Sequence, residues 1–159
     1  MKPARTTRPG RKASAVLVAT ALLGGCAGAS DRDLRDGVYE FELTEAYLLR
    51  NGVAEEQARS ESGVHEVTLD RGSFVDRWRA ADGTVGSCAG VYTFQGSRAA
   101  FRWTDGCAGD WSVTYSLDGD RVRWSGVEPL DPGAGAQTQR VAEVFNSVPW
   151  TWRRDVPEG

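Results

Sequence analysis

Alternation of apolar and polar residues is the feature that most limits what this chain can fold into. Trp111–Leu117 shows it most clearly, with four apolar side chains in one phase and three hydroxyl side chains in the other. The same period recurs in Val38–Leu43, Val64–Leu69 and Arg121–Trp124. A period of two predicts antiparallel β-strands with one buried face and one face in water.

Glycine-containing turns separate these segments at even spacing. They are Asp70-Arg71-Gly72, Asp82-Gly83, Gln95-Gly96, Asp105-Gly106 and Asp118-Gly119. Glycine readily adopts the positive φ that tight hairpin turns require. We therefore predict a mainly β fold, an antiparallel up-and-down β-barrel.

Two stretches interrupt the strand pattern. Thr44–Asn51 begins with a capping threonine and ends before a glycine, and Ala54–Ser60 continues with good helix formers. Together they predict a short helical lid after the first strand. Thr138–Phe145 predicts a short C-terminal helix, and Trp150–Trp152 predicts a last strand that closes the barrel.

The first 25 residues have the three-part pattern of a secretory signal peptide. Five basic residues come first, a weakly apolar run from Ala13 to Leu23 follows, and Gly24-Gly25-Cys26 ends it. This ending resembles the lipobox of bacterial lipoproteins, in which the cysteine sulfur receives a diacylglyceryl group. We predict a lipoprotein signal peptide over residues 1–25, lipidation of Cys26, a polar tether over residues 26–36 and one barrel domain over residues 37–159. Cleavage after Ala29 by an ordinary signal peptidase is the alternative.

Removal of the signal peptide changes the charge of the chain. The signal contains five of the 19 basic residues and none of the 22 acidic ones, which leaves 14 basic residues and a net charge of −8. Such a surface repels nucleic acid, so we predict no nucleic-acid partner. The acyl chains on Cys26 would attach the protein to the extracytoplasmic face of the cell membrane.

Cys88 and Cys107 remain as an even pair once Cys26 is lipidated. In an exported domain such a pair is most often a disulfide, and closing a loop of about 19 residues would stabilise the fold by about 3 kcal/mol. A redox or metal site is the alternative, but neither cysteine belongs to a C-x-x-C unit and His65 is the only histidine. We predict a disulfide and no metal site. Both cysteines open a Cys-Ala-Gly-x-aromatic stretch, so we also predict that each begins a strand.

Several of these features together resemble a known family. They are the first strand at Gly37-Val38-Tyr39, the helical insert, the late cysteine pair and the aromatic strand that begins at Val148-Pro149-Trp150. They are similar to calycins, the lipocalin-like barrels, and more narrowly to small exported calycin-like domains of actinobacteria. Those domains occur alone as lipoproteins or are joined to transporter substrate-binding proteins. The resemblance covers Gly37–Arg153, and it implies a small ligand, a transporter or an envelope protein as the partner.

The apolar phase of the strands directs many aromatic rings toward one interior. A small barrel is either filled by its own side chains or holds one small ligand, and both alternatives stay open. For the second alternative, we predict a site beside the helical lid for an apolar or cationic-aromatic molecule. Its candidate residues are Tyr39, Phe74, Asp76, Trp78, Tyr92, Trp111 and Trp124.

Asp76 shares its phase with the rings on either side of it and therefore points inward. A buried carboxylate needs a partner, which Arg102, Arg123 or a cationic ligand would supply. A bend that turns Asp76 outward is the alternative. His65 lies in the apolar phase of its own strand, where a lone histidine is more often a rim or core residue than a cofactor ligand.

The chain contains no Gly-x-Ser-x-Gly elbow and no phosphate-binding loop. We therefore predict that it is not an enzyme and that it has no cofactor. Two function classes remain. The first is a small-molecule-binding module on the outer face of the membrane. The second is a protein-interaction or envelope-accessory module, such as an inhibitor, with a solid barrel.

Overall fold

The computed structural model describes residues 34–156, apart from residues 106, 108, 132 and 134. The predicted signal peptide, the lipidation site Cys26 and the tether as far as residue 33 lie outside the described residues. The elements in chain order are β1 (Gly37–Leu43), α1 (Glu45–Arg50), α2 (Glu55–Glu61), β2 (Gly63–Asp70), β3 (Ser73–Arg79), β4 (Val85–Gln95), β5 (Arg98–Trp103), β6 (Trp111–Asp118), β7 (Arg121–Pro129), α3 (Ala136–Phe145) and β8 (Trp150–Arg154).

The eight strands form a closed antiparallel barrel in the order of the sequence. Each strand pairs with its neighbour in the chain, and β1 pairs with β8, where Tyr39 lies opposite Trp152. Closure leaves no free sheet edge. The predicted mainly β, up-and-down barrel is confirmed.

Aromatic side chains in the apolar phase fill much of the barrel interior. Phe101 is fully buried and its ring lies 5.3 Å from Phe74, 5.5 Å from Trp111 and 5.8 Å from Trp124, measured between ring centroids. Trp124 in turn lies 4.7 Å from Trp150. Each such ring buries about 150–250 Å², so this cluster makes a large contribution to the apolar burial in the core.

Every second connection of the barrel lies at the same end. These connections are the α1–α2 segment, the β3–β4 turn, the β5–β6 loop and the segment that contains α3. We call this end the helical end, and the chain enters β1 at the opposite one. Gly63 starts β2 at the helical end with a φ of 128°, and a Cβ atom there would lie 2.0 Å from the Arg79 carbonyl oxygen. Only glycine fits this close approach of two backbones.

The predicted helices are present with small changes in their bounds. Thr44 caps α1, since its hydroxyl accepts a hydrogen bond of 3.2 Å from the Tyr47 amide. The C-terminal helix begins two residues earlier than predicted, and the last strand continues to Arg154. Among the described residues, no helix combines the length and the apolar character needed to cross a bilayer.

The prediction that both cysteines begin strands is wrong. Cys88 lies inside β4, the longest strand, and Cys107 lies in the loop between β5 and β6. The repeated Cys-Ala-Gly-x-aromatic stretch therefore does not mark equivalent structural positions.

Candidate ligand-binding site

A histidine and an aspartate form a buried pair in the wall of the barrel. His65 of β2 is fully buried, and Asp76 of β3 is 5% exposed. The Nδ1 atom of His65 lies 3.2 Å from both carboxylate oxygens of Asp76. The two residues face the interior on neighbouring strands, diagonally across the ladder, since His65 lies opposite Trp78 and Asp76 lies opposite Val67.

The hydrogen-bond partners of His65 decide how the pair is protonated. Its Nε2 atom lies 2.9 Å from the carbonyl oxygen of Glu61, which can only accept, so Nε2 carries a proton. Nδ1 then either donates to the Asp76 carboxylate or accepts a proton from its carboxylic acid. The pair has no net charge in either case, which is the form in which two ionisable groups are least costly to bury.

Aromatic rings hold the imidazole on three sides. Phe41 stacks on it with ring centroids 4.7 Å apart, Trp78 stacks at 5.5 Å, and Phe145 of α3 meets it edge-on at 5.0 Å. The indole N–H of Trp78 donates a hydrogen bond of 2.8 Å to the carbonyl oxygen of Ser60. The barrel wall thus holds two successive carbonyls at the C-terminal end of α2.

A cavity of about 150 Å³, partly open to solvent, lies at the helical end beside this pair. Its walls come from α2, from β3 to β6, from the β5–β6 loop and from α3. It is lined by two acidic residues and four aromatic residues, among others: Glu61, Asp76, Trp78, Trp103, Trp111 and Phe145. A cavity of this volume has room for a molecule about the size of benzene.

The three tryptophans offer mainly ring carbon to the cavity. The Trp78 N–H is engaged by Ser60, and the Nε1 atoms of Trp103 and Trp111 are buried without a hydrogen-bond partner among the described residues. A second cavity of about 20 Å³ shares Asp76, Trp103, Trp111 and Phe145 with the first. The walls therefore favour an apolar group or a cation that packs on aromatic rings.

Cys88 and Cys107 also line the larger cavity and lie at disulfide-bonding distance, with Cα atoms 6.1 Å apart. The predicted pairing agrees with this geometry. Asp105 lies close to both sulfur atoms, but its carboxylate accepts a hydrogen bond of 2.5 Å from the Ala89 amide. A disulfide leaves no thiolate for a metal ion, so these three residues act as a tie between β4 and the β5–β6 loop.

Glu61 is the last residue of α2 and its half-buried side chain lines the cavity. Burial raises the pKa of this carboxyl, the nearby His65 opposes that change, and Asp76 adds to it. Within the described part of the chain, no hydrogen bond or ion pair reaches the Glu61 carboxylate. It is the acidic group at the cavity that remains without a partner.

The structure brings four of the seven sequence-predicted ligand residues to the two cavities. Trp78 and Trp111 line the larger one, Phe74 and Trp111 line the smaller one, and Asp76 lines both. The inward direction predicted for Asp76 is correct, but its predicted arginine partners are not. Arg102 and Arg123 are exposed on the outside of the barrel, and His65 is the partner.

The other three predicted residues line neither cavity. Tyr39 is buried, and its hydroxyl donates a hydrogen bond of 2.7 Å to the carbonyl of Arg35, while burial raises its pKa. The Tyr92 hydroxyl donates to Asp36. Trp124 packs inside the aromatic core. Alternation predicted that these rings point inward, but it does not tell at which level of the barrel they lie.

Comparison with models of protein families, with curated proteins and with solved structures gives no match for this chain. Its function has to be inferred from its own residues. Sequence reasoning missed Trp103, Phe145 and Glu61 as cavity residues. Trp103 and Phe145 follow the apolar phase of β5 and α3 and could have been included, whereas the position of Glu61 depends on how α2 packs.

Proposed function

We propose that this protein is a lipid-anchored, extracytoplasmic binding protein of calycin-like type, with a site for one small apolar or cationic-aromatic molecule at the helical end of its barrel. The cavity of about 150 Å³ between α2, α3 and the barrel wall is the observation that carries the proposal. Its apolar lining consists of three tryptophans and one phenylalanine, together with Val141 and Ala142 of α3. This combination of aromatic walls and a few polar groups is typical of small-molecule sites.

The sequence supports the location on the outer face of the membrane. The apolar run that ends at Cys26 suits lipidation, and the net charge of −8 after cleavage suits a soluble exported domain. A cysteine pair at disulfide distance suits an oxidising compartment. The chain enters β1 at the end of the barrel opposite the cavity.

Tryptophan fluorescence and calorimetric titration test the binding site. The probes are benzene and tetramethylammonium, which are an apolar molecule and a cation that the cavity volume can hold. We expect saturable binding and a change in emission. Trp78→Ala should weaken binding at least about tenfold, because Trp78 lines the cavity and holds Ser60.

Trp152→Ala is the matched control, since Trp152 lies on β8 and contacts Arg35 with a cation–ring distance of 3.5 Å. Its effect on affinity should stay below about twofold. Absence of saturable binding for both probes at millimolar concentration contradicts the proposed function.

A protein-interaction module with a solid barrel is the second candidate, and the filled aromatic interior favours it. Away from the cavity at the helical end, the rings around Phe101 pack against one another. The larger cavity is also smaller than the ~300–1,000 Å³ that is typical of pockets for drug-sized ligands. Under this alternative, an envelope protein or a transporter would contact the loops, and neither probe would bind in the mouth.

A further inference from the structure

We infer that the site selects a small monovalent cation of the alkylammonium class, and that Glu61 rather than Asp76 recognises its charge. The inference rests on the proposed function and specifies the ligand of the same cavity. Three observations carry it: the engagement of Asp76, the free carboxylate of Glu61 and the ring carbon around both.

Asp76 is already committed to His65. Both of its carboxylate oxygens lie 3.2 Å from Nδ1, and the pair together carries no net charge. A cation that approached Asp76 would compete with an imidazole whose other nitrogen is fixed by the Glu61 carbonyl. The inward carboxylate is therefore a structural group and offers little attraction to a ligand.

Glu61 has the opposite properties. Its carboxylate has no hydrogen-bond or ion-pair partner among the described residues, and it lines the cavity. Arg59, the nearest basic residue in the chain, pairs with Glu55 at 3.0 Å and with Glu45 at 3.9 Å. The charged or titratable groups that act on Glu61 from the barrel wall are His65, which lowers its pKa, and Asp76, which raises it by a smaller amount.

The backbone that carries Glu61 is held in place before any ligand binds. His65 donates a hydrogen bond to the Glu61 carbonyl, and Trp78 donates one to the preceding carbonyl of Ser60. The backbone at the end of α2 is therefore attached to β2 and β3. A charged group on a fixed backbone loses less conformational freedom when a ligand binds.

One negative charge among aromatic rings is the arrangement that binds alkylammonium ions. The rings of Trp78, Trp103 and Trp111 offer carbon surface, which attracts a weakly hydrated cation. A divalent metal ion needs several oxygen ligands at short distance, and one free carboxylate does not supply them. The cavity of about 150 Å³ limits the ligand to a few heavy atoms.

Affinity for the cation should increase with pH. Burial raises the pKa of Glu61, so the carboxyl is protonated at a higher pH than an exposed glutamate. Only the ionised form attracts the cation, so binding is lost as the pH falls through that pKa. The stability of the ligand-free protein should depend on pH in the opposite direction. The raised pKa means that the folded state favours protonated Glu61, so this contribution to the free energy of unfolding is lost as the pH rises through that pKa.

The test compares tetramethylammonium with tert-butanol, a neutral molecule of nearly the same shape, on the full chain by calorimetry at neutral pH. We expect tetramethylammonium to bind at least about tenfold more tightly. Glu61→Gln should remove that difference, and it should not lower the melting temperature, since it removes a carboxylate that burial disfavours. Glu56→Gln, on the exposed side of the same helix, is the matched control and should leave both affinities unchanged.

Each other result has a definite meaning. Equal binding of tetramethylammonium and tert-butanol, or a preference for tert-butanol, overturns the inference and leaves a binding site for neutral molecules in place. A folded Glu61→Gln variant that keeps its preference for the cation also overturns the role of Glu61. Failure of both molecules and of benzene to bind contradicts the proposed function itself.

Discussion

His65 and Asp76 place two ionisable side chains inside an aromatic wall, and each supplies hydrogen bonds that the other needs. Removal of one partner leaves a buried polar group without a partner, and such a change costs about 3–5 kcal/mol. We expect Asp76→Ala and His65→Phe each to lower the free energy of unfolding by about 3 kcal/mol, as measured by urea denaturation.

The free energy of unfolding of the double variant should fall by less than the sum of the two single losses, by at least about 1 kcal/mol, because the shared interaction is counted once.

Glu55→Ala is the control, since it removes an exposed ion pair with Arg59, and it should change the free energy of unfolding by about 0.5 kcal/mol or less. Additive effects of the two buried substitutions would mean that the pair is not coupled.

For single residues, the sequence predicted whether a side chain points into the barrel better than it predicted which side chains it contacts. The inward phase of Asp76 was predictable from Phe74 and Trp78 in the same strand. The partner of Asp76 was also predictable. A two-residue turn at Arg71-Gly72 sets Asp70 opposite Ser73, and this register places His65 opposite Trp78 and therefore diagonal to Asp76. Burial of His65 under Phe145 was not predictable, because it depends on the packing of α3, more than 60 residues away in the chain.

At the scale of elements, the segments around the cavity come from distant parts of the chain and are joined by contacts between their side chains. Tyr47 of α1 and Ser147 beyond α3 share a hydrogen bond of 2.6 Å between their hydroxyls. Gln57 of α2 and Gln137 of α3 are 3.5 Å apart. The cysteine pair joins the β5–β6 loop to β4.

The cysteine tie should contribute measurably to stability. Its two residues are 19 apart in the sequence, for which the loss of chain entropy in the unfolded state corresponds to about 3 kcal/mol. We expect Cys88→Ser combined with Cys107→Ser to lower the free energy of unfolding by about that amount. Thiol labelling of the unfolded, unreduced protein gives the direct check, and two free thiols in oxidised material would rule out the bond.

The existence of each strand and helix was predictable from periodicity and turn residues, but the space between them was not. Gly86 and Gly90 lie opposite Trp78 and Phe74, and a Cβ at either position would come within 2.5 Å of the facing ring. Because these glycines have no Cβ, the Trp78 and Phe74 rings can pack directly on the backbone of β4. This packing depends on register and rotamers together, which a single sequence does not specify.

At the scale of the whole molecule, the barrel and the predicted N-terminal signal peptide lead to complementary expectations. The barrel provides a small mouth at the helical end, and the chain enters β1 at the opposite end. After the predicted cleavage the domain would carry a net charge of −8, which anionic lipid headgroups repel. Stable attachment to a membrane would therefore require acyl chains, and two chains suffice because each buried methylene contributes about 0.8 kcal/mol.

Cys26 decides this expectation, because it is the residue whose sulfur would carry those chains. In cells that process lipoproteins, Cys26→Ala should leave an unprocessed precursor or release the protein from the membrane fraction. Membrane fractionation with metabolic labelling by palmitate measures both effects. Cys107→Ser is the matched control and should remain labelled and membrane-bound, since its sulfur lies in the barrel domain. A Cys26→Ala protein that is cleaved normally and still fractionates with membranes would show that the attachment does not depend on this cysteine.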